Sequence, residues 1–123
     1  MTKRILVVDD NPQMRSLLRH MLKTEGYEVD EAGDGDQALE KASEANPDLL
    51  ITDIIMPGKE GFETIIDMRQ AYPDLKIIAI SGGNVSSPQD YLKCAAELGA
   101  DRSLVKPIKK EQLISCVKEL LPN

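Results

Sequence analysis

The sequence predicts an α/β domain: a doubly wound, five-stranded parallel sheet with helices on both faces. Three observations carry this. Short apolar runs rich in Ile, Leu and Val recur along the chain, and all but one lack the alternation of a half-wet strand. Longer stretches with apolar side chains at helical spacing lie between them, closed by Gly or by residues beside Pro. The connections are short, which specifies right-handed crossovers and a sheet covered on both sides.

Ile5-Leu6-Val7-Val8 is the first strand and ends on Asp9-Asp10. Asn11 suits the cap and Pro12 the first position of a helix in which Met14, Leu17, Leu18, Met21 and Leu22 form an apolar stripe, stopped by Gly26. His20 lies beside that stripe and takes no role. Tyr27 to Glu31 alternates apolar and polar, which predicts an edge strand with one wet face. Asp34 caps the second helix, with Gln37 three residues on in a capping-box-like pattern; Ala38, Leu39, Ala42 and Ala45 face inward, and Asn46-Pro47 ends it. Leu49-Leu50-Ile51-Thr52-Asp53 is a buried strand ending on an acid, followed by the Pro57-Gly58 loop. Gly61 opens the third helix, with Phe62, Ile65, Ile66 and Met68, and Tyr72-Pro73-Asp74 breaks it. Ile77-Ile78-Ala79-Ile80 is the fourth strand and ends on Ser81-Gly82-Gly83. Ser87-Pro88 starts the fourth helix, which Gly99 stops; Leu104-Val105 lies in a short fifth strand ending on Lys106-Pro107; Leu113, Cys116, Val117, Leu120 and Leu121 belong to the last helix.

One domain fits the 123 residues, and no internal repeat or linker interrupts them. The chain is 41% hydrophobic but only 3% aromatic, so aliphatic side chains must pack the core. A net charge of −6 argues against direct nucleic-acid binding, which needs a basic face. No apolar run approaches a membrane span, and no signal peptide is expected, so a cytoplasmic location is. Cys94 and Cys116 lack metal spacing and are read as packing residues.

Parallel strands share one carboxyl edge, where open α/β sheets bind ligands. Asp9 and Asp10, Asp53, Ser81 and Lys106 stand at that edge. Taken singly, each is explained as a cap, a turn residue or a surface charge. Together they are not, because four of five strands end on complementary chemistry. Three carboxylates repel unless a cation joins them, and a hard divalent ion such as magnesium suits oxygen ligands. Lys106 supplies a point charge for an anionic oxygen and Ser81 a hydroxyl donor. Such a set would stabilise a transferring phosphoryl group, with Asp53 as the nucleophile.

These residues give the chain a resemblance, along its whole length, to the receiver domain of two-component response regulators. The carrying motifs are Val7-Val8-Asp9-Asp10-Asn11, Asp53-Ile54-Ile55-Met56-Pro57 with Gly61, Ser81-Gly82, Gly99-Ala100-Asp101 and Lys106-Pro107. The resemblance implies the flavodoxin-like strand order 2-1-3-4-5. It implies that Asp53 accepts a phosphoryl group from a histidine kinase or phosphotransfer protein. It also implies magnesium held by Asp10, Asp53 and the Ile55 carbonyl, with Asp9 acting through water. Lys106 would hold a phosphoryl oxygen, Ser81 would move toward the phosphate, and Lys106-Pro107 would be cis. An output protein or effector domain is the implied partner, and a homodimer through the fourth helix, fifth strand and fifth helix is a further expectation.

Two positions depart from the family pattern. Ser103 stands where an aromatic residue is usual three positions before the lysine, and Ile108 where Phe is common. Ser103 leaves no ring to rotate, so switching is expected to run through the loops from Ser81 to Lys106 and the fourth helix. Ile55 and Gly83, two positions after Asp53 and Ser81, cannot orient a hydrolytic water, so a long-lived phosphorylated form is expected. A haloacid-dehalogenase-like phosphatase would need an acid at Ile55. A flavin binder would have its phosphate repelled by Asp9-Asp10. A degenerate receiver would lack one of the acids or the lysine.

Overall fold

Arg4–Val8 forms β1, with Ile5 and Val7 facing one side of the sheet and Leu6 and Val8 the other. The structure, a computed structural model, describes residues 2–54, 61–82 and 88–122, without the side chains of 88–92. The remaining elements are α1 (Pro12–Lys23), β2 (Glu28–Ala32), α2 (Gly35–Ala45), β3 (Leu49–Asp53), α3 (Gly61–Ala71), β4 (Lys76–Ser81), α4 (Pro88–Leu98), β5 (Arg102–Val105) and α5 (Lys110–Leu120). All four strand pairs are parallel, in the order β2-β1-β3-β4-β5.

The sheet separates two cores. Leu6, Val8, Leu50, Ile77 and Ala79 meet Ala38 and Ala42 of α2, Ile65 and Met68 of α3, and Ala95 of α4. Ile5, Val7, Leu49, Ile51, Ile78 and Ile80 meet Leu18 and Leu22 of α1 and Leu113, Ile114 and Val117 of α5. All of β3 is buried, as its unbroken apolar run requires. β2 is an edge strand, and its wet side carries Glu28 and Asp30, both paired with Arg4 (3.1 and 2.9 Å). Each fully buried Leu or Ile contributes about 2 kcal/mol of transfer free energy, and these aliphatic residues fill the core without aromatic help.

The caps follow the sequence signals. Asn11 accepts the amides of Gln13 and Met14, with Pro12 at the first helical position. Asp34 accepts the Gln37 amide, and the Gln37 side chain accepts the Gly33 amide, one residue outside the reciprocal pair of a strict capping box. Asn46 closes α2 in the left-handed region at φ 50°. β2 starts one residue later than expected, β5 runs from Arg102 and contains Leu104-Val105, and β4 includes Ser81 itself. Leu17 departs from the predicted apolar stripe: its side chain is 45% exposed. It lies roughly 120° round the helix from the centre of the buried pair Leu18 and Leu22, so it falls on the flank of α1. Ile66 is likewise partly exposed beside buried Ile65.

Candidate functional site

The carboxyl ends of the strands are held in register by backbone pairing one step beyond the ladders. The Asp9 amide donates to the Ala32 carbonyl (3.2 Å), that of Ile54 to Ile80 (3.0 Å) and that of Lys106 to Ser81 (2.9 Å). The side chains that follow therefore converge on one spot. Asp9 and Asp53 are buried, whereas Asp10 is exposed. Carboxylate oxygens of all three lie within 4.8 Å of one another.

Lys106 reaches this group from β5. Its Nζ donates to Oδ2 of Asp53 at 2.8 Å and to Oδ2 of Asp9 at 3.2 Å. Burial acts to lower the Lys106 pKa, but the hydrogen bonds and charges of Asp53 and Asp9 outweigh it, and the net shift is upward. The ammonium is therefore firmly charged at neutral pH. Asp9 is held a second time, because its Oδ1 accepts the Asn11 amide at 2.9 Å. Ser81 is fully buried, and its Oγ has no hydrogen-bond partner among the described residues. An unmade hydrogen bond in a buried site costs about 1–3 kcal/mol, which makes this hydroxyl a candidate donor at the rim.

The structure thus brings Lys106 into contact with Asp9 and Asp53, gathers the Asp10 carboxylate within 4.8 Å of both acids, and sets Ser81 on the adjoining strand. Ile55, Gly83 and Ser87 lie outside the described residues. The Lys106–Pro107 peptide is cis. Ser103 is exposed on β5, and buried Ile108 packs into the core shared by α1 and α5.

Two arginines near the strand ends were not legible as partners. Arg15 of α1 donates to the Asp9 carbonyl at 2.7 Å and pairs with Glu31 of β2. Arg69 of α3 works at the opposite, amino edge. It donates to the carbonyls of Pro73, Leu75 and Gly99 and pairs with Asp101 at 3.1 Å; Asp101 in turn accepts the Ile77 amide. The Gly99-Ala100-Asp101 motif is therefore a structural clasp away from the site.

Three convergent carboxylates are a hard-oxygen donor set with more negative charge than one lysine neutralises, which fits a divalent cation such as magnesium. Among the described residues no helix is long and apolar enough to cross a membrane.

Comparison with known proteins shows the family of the chain. The family model of the response regulator receiver domain matches residues 5–118. The transcriptional regulatory protein ResD of Bacillus subtilis is 39% identical over 120 residues, covering 96% of this chain and 48% of ResD. The chemotaxis protein CheY of Halobacterium salinarum is 33% identical over 121 residues and 98% of each chain. Among solved structures, the response regulator TrrA of Thermotoga maritima in complex with Mg2+–BeF is 42% identical. It superposes with a TM-score of 0.85 over 98% of this chain and all of that one. The chain spans about half the length of ResD and of PhoP, also from Bacillus subtilis, though nearly all of the archaeal CheY.

Proposed function

Because the chain belongs to the response regulator receiver family, we propose that it accepts a phosphoryl group on Asp53 from a histidine kinase or phosphotransfer protein and changes conformation to control an output partner. The observation that carries this is Lys106 bridging the Asp53 and Asp9 carboxylates beside the unpartnered Ser81 hydroxyl.

An Asp53 carboxylate oxygen attacks the donor phosphorus, the bond from phosphorus to the donor nitrogen breaks, and the donor imidazole leaves with that electron pair. Lys106, already 2.8 Å from Asp53, would exchange a carboxylate contact for one with a phosphoryl oxygen. Ser81 would donate its free O–H to another, ending its unpartnered state. A magnesium ion, held by Asp10, Asp53 and the Ile55 carbonyl with Asp9 acting through water, would neutralise charge on the phosphoryl oxygens. The chain is not a dedicated enzyme in this reading; it promotes its own phosphorylation and a slow dephosphorylation.

We place the output face on α4, β5 and α5, and a homodimer through it belongs to the same proposal. In support, β5 is the sheet edge on that side, and a groove beside Ser103 is lined by Val105, Pro107, Gln112 and Cys116. A cytoplasmic site of action, away from membrane and nucleic acid, accords with the net charge of −6.

Incubation with a small phosphodonor and magnesium tests the assignment. Intact mass should show one acid-labile phosphoryl group on the wild type and none on Asp53→Asn of unchanged fold. Equal uptake by the variant would remove Asp53 from the role.

A further inference from the structure

The two acids that begin the site are held very differently. The Asp9 carboxylate is fixed by Asn11 and Lys106. The Asp10 carboxylate is exposed and takes no hydrogen bond among the described residues, so its position depends on the backbone that carries it. That backbone is the Asp9–Asp10 peptide. On one side, the Asp9 amide is pinned to the Ala32 carbonyl of β2. On the other, the Asp9 carbonyl accepts Nη1 of Arg15 at 2.7 Å, the shorter of the two contacts. The Arg15 guanidinium is itself oriented: its Nε donates to Oε1 of Glu31 at 3.3 Å, and the other Glu31 oxygen is engaged by Arg19 at 3.3 Å. Planar guanidinium groups carry several donors in a rigid fork, so one end set by Glu31 fixes where the other end points.

We propose that Arg15 is a positioning residue for cation binding: through the Asp9 carbonyl it locks the Asp9–Asp10 peptide and so aims the Asp10 carboxylate at the site. The inference rests on the receiver reading given above. It runs against simple electrostatics, because a positive charge beside a cation site repels the cation, and removing it should tighten binding. A locked peptide predicts the reverse, so the sign of the effect decides between them.

Magnesium is titrated calorimetrically against the wild type, Arg15→Ala, Arg15→Met and Arg15→Lys. Met keeps the bulk of the side chain and serves if the Ala variant does not fold. The Met and Ala variants should bind magnesium about tenfold more weakly, the size expected when a partner behind a ligand is lost. Lys keeps the charge and one donor, and should remain within about twofold of the wild type. In an Asp10→Ala background, Arg15→Met should cause no further loss, because the residue it positions is gone. Binding by Arg15→Met as tight as or tighter than the wild type overturns the proposal. So does an undiminished loss in the Asp10→Ala background. A wild type that binds magnesium and takes up a phosphoryl group while Arg15→Met behaves identically rejects this inference alone. A wild type that does neither rejects the receiver reading, and this inference with it.

Discussion

Lys106 places its ammonium between two acids, 2.8 Å from Asp53 and 3.2 Å from Asp9. Any cation that shares those carboxylates competes with it. Lys106→Ala should therefore bind magnesium about fivefold more tightly, as expected when about 1 kcal/mol of partly screened repulsion is removed. On the proposed reading Asp10→Ala would lose a ligand, and it should bind about tenfold more weakly. Both are read from a calorimetric magnesium titration. Tyr27 gives a pH dependence of another kind. Burial, then the charge of Glu25, raise its phenol above the ordinary 10.0. The protonated phenol is thus favoured by the fold, and its contribution is fully present below the unfolded value and lost as pH rises through the folded one. Urea midpoints should fall as pH rises above about 10, and less steeply in Tyr27→Phe; the effect is modest because the ring is only partly buried.

Gly61 shows how an element is seated against the site. A Cβ there would overlap the Asp53 carbonyl and the Cα of Ile54, so the first turn of α3 can lie on the end of β3 only if position 61 has no side chain. Gly61→Ala must lift α3 or shift the Asp53 backbone. It should cost about 2 kcal/mol in urea unfolding and slow phosphoryl uptake at Asp53, with both changes appearing together. At the other edge Arg69 ties the end of α3 to Gly99, just past α4, and to Asp101 before β5. Gly99 has φ 127°, a region that suits glycine, and its open α-carbon lies against the Arg69 side chain. Arg69 thereby fastens α3, α4 and β5 together at the amino edge of the sheet, away from Asp53 and Lys106.

That division shapes how a signal would cross the whole molecule. Ser81 and Lys106 are joined by a backbone hydrogen bond of 2.9 Å across β4 and β5, so a phosphoryl group that draws on both pulls on the rim of one sheet edge. With no aromatic ring at position 103, the change should travel through the β4–α4 and β5–α5 loops and α4. Amide exchange with and without a phosphoryl mimic should differ in those segments, with little change at Gly99 and Asp101, where the Arg69 clasp holds. Differences confined to β2 would reject this route.

The sequence by itself determined the strand and helix alternation, and with it the shared rim that collects Asp9, Asp10, Asp53, Ser81 and Lys106. Those signals are local: hydrophobic period, Asn11-Pro12 and Asp34 caps, and the acid, serine or lysine closing four of the five runs. Leu17 marks the limit of such reading, since period shows which side of a helix is apolar but not where neighbouring elements stop covering it. Only the tertiary structure decided that Asp9 is buried and Asp10 exposed, and that Lys106 bridges acids up to 97 positions away. It alone revealed Arg15 on the Asp9 carbonyl and the Arg69–Asp101 clasp. Contacts of this kind join side chains from different elements, and their distances depend on how helices pack across the twisted sheet, which no spacing along the chain encodes.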